Sequence, residues 1–419
     1  MGILALILVT LSCSNVIVLS RSFVKEINVL NYGAVGDGYT DDSQAFLKAW
    51  DVTCNLEFAE SANMIIPGER RFLVNPITFN GPCKLSRINV QILGTILSPQ
   101  DTETWDGIDS SQWLAFRRVT GLIVDGYGTI DGRGTNWWSN SCRNSHSKDC
   151  TKMAPTAIKF IFCSNSYIKD LHFIDSANTH IGIRQSEWFH ITNLKISAPE
   201  TSPNTDGIHI DRSKHVFIDR SSIRSGDDCI SIGDHTSDIR ITNINCGPGH
   251  GISVGSLGKG GSYVQVENIR VSHVNFYQTT NGVRIKTWKG ATGYARDITF
   301  EHLNFTAVQN PIVIDQYYCN KLYLGNCNSA ERSATGVHIS DVTYKNATGT
   351  SSTSVAIRLN CSQSTACTGI LLDTIQLSLT SGRHTTHKHW HERVTSSCTN
   401  ARGKTKGLIQ PNIPCLLQN

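Results

Sequence analysis

Three residues recur at one position of a repeat in this chain. Asp206 lies two residues before Ile208, Asp228 two before Ile230, and His250 two before Ile252. The step is 22 residues each time. A further carboxylate, Asp227, adjoins Asp228, and Arg284 and Lys286 flank Ile285 one repeat later. Taken singly, these are ordinary residues: an Asp in a turn is usually a cap, and Arg-x-Lys on a strand is usually a solvated face. Taken together, they stack polar groups on one face. Carboxylates about 5 Å apart at an effective dielectric near 20 repel by roughly 3 kcal/mol. That amounts to about two pKa units, so at least one acid stays protonated above the ordinary Asp range. A protonated acid beside an ionised one can protonate a leaving glycosidic oxygen while its neighbour activates water. Arg284, with a planar fork, and Lys286, a point charge, suit the carboxylates of an anionic sugar.

The elements that position these groups are short strands. From residue 157, apolar pairs recur at Ile158/Phe160, Ile181/Ile183, Ile208/Ile210, Ile230/Ile232, Ile252/Val254, Val283/Ile285, Ile312/Ile314 and Val355/Ile357. The steps are 23, 27, 22, 22, 31, 29 and 43. A second strand follows most of them, from Ile168/Leu171 through Ile298/Phe300 to Val337/Ile339 and Ile370/Leu372. Alternating strands at an irregular period of this size predict a single-domain, all-β, right-handed parallel β-helix with loop insertions. The i, i+3, i+4 pattern of helical repeats is absent. Side chains alternate across a strand, so Arg284 and Lys286 point outward, onto the face of the acidic cluster. Asn165, Asn193, Asn243, Asn268 and Asn304 fall at turns, where Asn tolerates left-handed backbone and ladders between coils.

Before the repeat becomes regular, Thr40 or Asp41 reads as the N-cap of a short helix over 41–53. This helix would cover the open N-terminal edge of the solenoid. Residues 135–156 read as a loop leaving the body. The repeat is lost from about 383, leaving a C-terminal tail over 383–419. His384, His387, His389 and His391 crowd there, and a solvated basic loop is favoured over a metal site. No metal or cofactor is expected elsewhere.

The whole-chain properties agree with export. The chain has 419 residues, 17% charged residues, 34 Gly and a net charge of +4. That charge is too mild to point to nucleic acid and is compatible with an acidic polymer. Residues 1–20 read as a secretory signal peptide, with residues 21–419 as the mature chain and no later membrane span. Fourteen cysteines include Cys13, which leaves with the signal. Local pairing predicts Cys54–Cys83, Cys142–Cys150, Cys229–Cys246, Cys319–Cys327, Cys361–Cys367 and Cys398–Cys415. Cys163 is then left as a buried free thiol. Asn304, Asn346 and Asn360 open N-x-S/T glycosylation triplets.

The strings SPNTDGIHI, SGDDCISIG, CGPGHGISVGSLG and NGVRIKTW, in this order, resemble the four motifs of the polygalacturonases, especially the plant members. NYGAVGDGYTDDSQAFLKAW and GTIDGRGTNWW add to the likeness, which spans roughly 27–415. The resemblance implies a pectin-lyase-like solenoid that hydrolyses α-1,4-galacturonosyl bonds of de-esterified pectin with inversion. Asp227 would be the general acid, Asp206 and Asp228 would hold and activate water, and His250 would support the acid. Asn204, Arg284, Lys286 and Tyr317 would bind substrate, and Cys229–Cys246 would brace the site. It further implies a secreted, monomeric cell-wall enzyme, with wall inhibitor proteins as partners. Endo action is favoured over exo. A one-coil spacing of carboxylates by itself suggests retention rather than inversion. Two competing readings are a Ca²⁺-dependent lyase on the same architecture and a pectin-binding wall protein without turnover.

Overall fold

The computed structural model describes residues 24–141, 153–319, 335–380 and 393–416. Two parallel sheets wind along one axis, one of nineteen strands and one of eleven. In the eleven-stranded sheet each strand pairs with the strand of the next coil. The order runs from Ile77–Asn80 to Thr395–Thr399 without a reversal. This is a parallel β-helix, and crossovers between parallel strands of one sheet are right-handed.

The isoleucine ladder explains the winding. Ile181, Ile208, Ile230, Ile252, Val283 and Ile312 stand in register on successive coils. All are fully buried, each contributing roughly 1.5–3 kcal/mol of apolar burial. Because the side-chain period is two, His209, Ser231, Ser253 and Arg284 form the next column and face outward. Asn165, Asn193, Asn243 and Asn268 adopt positive φ, but only Asn193 lies at a turn; Asn165, Asn243 and Asn268 lie within the strands Ser164–Lys169, Thr236–Cys246 and Tyr263–Tyr277. Asn304 sits within the strand Thr292–Val308 and ladders onto Asn275.

Several expectations shift. The late coil pairs Ile312 with Ile357 and Ile314 with Leu359, two residues beyond Val355/Ile357. Likewise Val342 and Tyr344, not Val337 and Ile339, continue the second-strand ladder from Ile298 and Phe300. Apolar alternation is unchanged by the two-residue slip of the first, so the pattern could not detect it; the second differs by five residues because Ile339 pairs with Ala295, earlier in the same long strand pair. The repeat also does not end near 383: Thr395–Thr399 pairs with Val355–Asn360, and Ala401–Gln410 with Cys367–Leu379. Thr395–Thr399 holds no large apolar residue and Ala401–Gln410 only Leu408 and Ile409, so this last coil gives little apolar signal.

The N-terminal helix is Ser43–Asn55, and it buries Phe46, Ala49 and Trp50. Its N-cap position is Asp42, because Thr40 and Asp41 belong to the strand Asp37–Asp41. The Asp42 carboxylate accepts instead from the backbone N–H of Val35 and Gly36. The 135–156 segment opens with a short helix, Thr135–Ser139, whose Trp137 packs edge-on against Trp105.

Disulfides join Cys54–Cys83, Cys229–Cys246, Cys361–Cys367 and Cys398–Cys415. Cys319 is also disulfide-bonded. Cys142, Cys150, Cys327, the signal segment and the histidine-rich stretch lie outside the described residues. Cys163 is a buried free thiol, pushed up to about 11 by burial.

Candidate active site

The site grows from two turns on adjacent coils. The turn before Ile208 carries Asn204, exposed with φ 57°, and then Asp206. The turn before Ile230 carries Asp227 and Asp228. Thr205 Oγ1 accepts from Gly226 N–H at 2.9 Å, and Gly207 N–H donates to Asp228 O at 2.9 Å. These bonds lock one turn onto the next. Gly226 has no alternative: a Cβ there would lie 1.9 Å from Ser202 O. Behind Asp228, Cys229 is tied to Cys246 at the end of the strand Thr236–Cys246.

The three carboxylates have different surroundings. Asp227 Oδ1 accepts from the Asp228 N–H at 2.9 Å and lies 3.0 Å from His250 Nδ1. The His250 backbone N–H also donates to Asp227 O, at 2.7 Å. Asp228 is buried and accepts from Ser253 Oγ and Arg284 Nη2, each at 2.9 Å to Oδ1. Its Oδ2 accepts from Lys286 Nζ at 2.8 Å. Asp206 Oδ2 accepts from Ser231 Oγ at 2.6 Å. Burial, then the charges of Asp227 and Asp228, hold the Asp206 carboxyl well above the usual carboxylate range.

The structure therefore brings Asp206, Asp227, Asp228, His250, Arg284 and Lys286 together. It adds contacts that spacing could not supply. His250 meets Asp227, not Asp228, although Asp228 shares its phase. Arg284 and Lys286 clamp Asp228 directly. Tyr317 faces elsewhere: its hydroxyl accepts from the Gln363 N–H at 3.0 Å. Tyr318 is the tyrosine beside the cluster, its ring centroid 5.2 Å from Lys286 Nζ and packed edge-on to Trp288. A register shift between Lys286 and Trp288 breaks the alternation there and pairs Trp288 with Tyr318.

Asp227, Asp228 and His250 present possible ligand atoms within 4.8 Å of one another. Asp228 already meets two cations and a hydroxyl, so a metal would have to displace them. The residues present do not fit a metal centre.

His180 supports the site from behind. It is fully buried, and its Nδ1 lies 3.0 Å from Asp206 O. Ser176 N–H points at Nε2 from 3.4 Å, so the proton belongs on Nδ1. Burial lowers this imidazole to about 4. No motif or spacing singles it out, because its role is a contact with a backbone oxygen.

Two buried acids and a half-buried third, a histidine and two cations on the outer face of a parallel β-helix define a polysaccharide hydrolase. Residues 58–403 match the family model "Glycosyl hydrolases family 28". A probable polygalacturonase of Arabidopsis thaliana is 40% identical over 93% of this chain and 84% of its own length. A polygalacturonase of Malus domestica is 40% identical over 94% and 80%, respectively. An endo-xylogalacturonan hydrolase from Aspergillus tubingensis shares the fold at 22% identity and TM-score 0.71, covering 90% of this chain and all of that one. The chain belongs to glycosyl hydrolase family 28 and is a glycoside hydrolase. The lyase expectation is thereby set aside.

Proposed function

We propose that this chain is a polygalacturonase that cleaves α-1,4-galacturonosyl linkages of de-esterified pectin with inversion. One observation carries the reading: three carboxylates are packed together and two of them are differently partnered, Asp227 by His250 and Asp228 by Arg284 and Lys286. Asp227 gives its proton to the leaving oxygen. Asp206 and Asp228 hold the attacking water. Commitment of Asp228 to three donors suits a carboxylate that orients water better than one that attacks carbon. Arg284, Lys286 and the Tyr318 edge provide a basic wall for the sugar carboxylate, with Asn204 at the rim.

Endo action is supported by the run of the outer sheet face past the acids in both directions. The outward column containing Ser231 continues on both sides of the acids, to Lys159 in one direction and Arg358 in the other. A monomer secreted to the plant cell wall, open there to inhibitor proteins, accords with five bonded cysteine positions or pairs, which need an oxidising compartment. Asn304 is exposed for glycosylation. Among the described residues no helix is long and apolar enough to cross a membrane.

The test is the product-length distribution from polygalacturonate over time. Endo hydrolysis gives a falling series of oligomers with new reducing ends. Monomer from the first time point contradicts endo action, and no new reducing ends would leave only a binding protein.

A further inference from the structure

Two serines stand one above the other behind the carboxylates. Ser231 and Ser253 occupy the same register position on adjacent coils, both nearly inaccessible. Each donates to one acid: Ser231 Oγ to Asp206 Oδ2 at 2.6 Å, and Ser253 Oγ to Asp228 Oδ1 at 2.9 Å. Each also meets a nitrogen on its outer neighbour in the column. Arg284 Nε donates to Ser253 Oγ at 3.0 Å. His209 Nδ1 lies 2.7 Å from Ser231 Oγ.

A serine hydroxyl has one proton. Ser231 gives it to Asp206, so the contact with His209 requires a proton on Nδ1. The two relays are built alike but end differently. Asp228 is backed by the permanent charge of Arg284 and touched by Lys286. Asp206 is backed, through Ser231, by an imidazole.

We propose that His209 and Ser231 are positioning residues that fix Asp206 as the carboxylate that takes the proton from water, while Asp228 only orients that water. In this step the water O–H bond breaks, its oxygen bonds to the anomeric carbon, and the proton passes to Asp206. The glycosidic C–O bond breaks as its oxygen takes the proton of Asp227. Asp206 can accept a proton without breaking an ion pair at hydrogen-bond distance. Asp228 would have to give up its contacts with Arg284 and Lys286.

The surroundings of the relay keep His209 neutral. Burial lowers its pKa, Lys286 and Lys159 act in the same direction, and Asp211 and Asp228 oppose them. Asp206 in turn faces Asp227, Asp228 and Lys286. The division of labour rests on the polygalacturonase reading above, whereas the hydrogen-bond relay does not.

The first measurement therefore needs no turnover. In ¹⁵N-histidine spectra of the wild-type protein, with the His209 signals identified by their loss in His209→Asn, His209 carries its proton on Nδ1. An Nε2–H tautomer overturns the relay. The second measurement is kinetic. Ser231→Ala lowers kcat on polygalacturonate about tenfold with KM within about twofold. It also moves the acidic limb of the pH profile to higher pH, because the lost O–H favoured ionised Asp206. Ser231→Thr, which keeps a hydroxyl, restores both, and His209→Asn, which keeps an N–H, outperforms His209→Leu. An unmoved acidic limb with unchanged kcat in Ser231→Ala overturns the proposal even if His209→Leu fails to fold. A wild-type protein that releases no reducing ends defeats the substrate reading instead, and the tautomer still decides the relay.

Discussion

Lys286 Nζ lies 2.8 Å from Asp228 Oδ2, with the lysine side chain 8% and the carboxylate 1% exposed. Arg284 Nη2 closes the other side of the same carboxylate at 2.9 Å. Removing one cation from a buried carboxylate leaves one of its oxygens without a partner, although Arg284 still balances the charge, and breaking a buried pair costs about 3 kcal/mol. Lys286→Met is expected to destabilise the protein by about that amount in denaturant unfolding. Adding Asp228→Asn removes the other charge of this pair but leaves Arg284 without its carboxylate, so the double variant should lose less than the sum of the two single variants. Additive losses in the two single variants and the double variant would show that the pair is not coupled.

Asp227, the general acid of the proposed reaction, has His250 and the Asp228 N–H on one oxygen. Asp227→Asn keeps the size and removes the transferable proton. We expect kcat to fall by about 10²–10⁴, with KM and the circular dichroism spectrum little changed. Near-normal turnover in this variant would remove Asp227 from the role.

The buried His180 makes stability depend on pH. Its folded pKa, about 4, lies below the ordinary 6.5. Between these values the unfolded chain binds more protons than the folded one, so stability falls as pH drops from 6.5 towards 4. The full contribution is on the order of 3 kcal/mol. Asp206 acts with the opposite sign, because its raised folded pKa makes the native state the better proton binder above 3.8. Comparison with His180→Gln isolates the histidine. The difference in unfolding free energy between variant and wild type should change across pH 4–6.5, and a constant difference would contradict a neutral buried His180.

The winding and the acid cluster were legible because both are periodic. Ile208, Ile230 and Ile252 set the phase, and Asp206, Asp228 and His250 share it. Contacts that depend on side-chain reach were not legible. Phase placed His250 with Asp228, but its imidazole turns to Asp227. Ser231 and Ser253 alternate with buried apolar residues as any outward strand position does, and only their hydrogen bonds give them a role. Tyr318 lies at a break in register, and the Thr395–Gln410 coil was hidden by its scarcity of apolar residues. The Asp42 cap lay one residue beyond Asp41 because the preceding strand runs further than its composition suggests.

The central claim is a single displacement in which Asp227 protonates the leaving oxygen while water attacks from the opposite face. Proton NMR of the first-formed product from polygalacturonate, recorded before mutarotation, tests it most directly. The account predicts that new reducing ends appear first as the β anomer, inverted from the α linkage. An α anomer formed first would mean retention and a covalent intermediate, and would contradict the roles given to Asp206, Asp227 and Asp228.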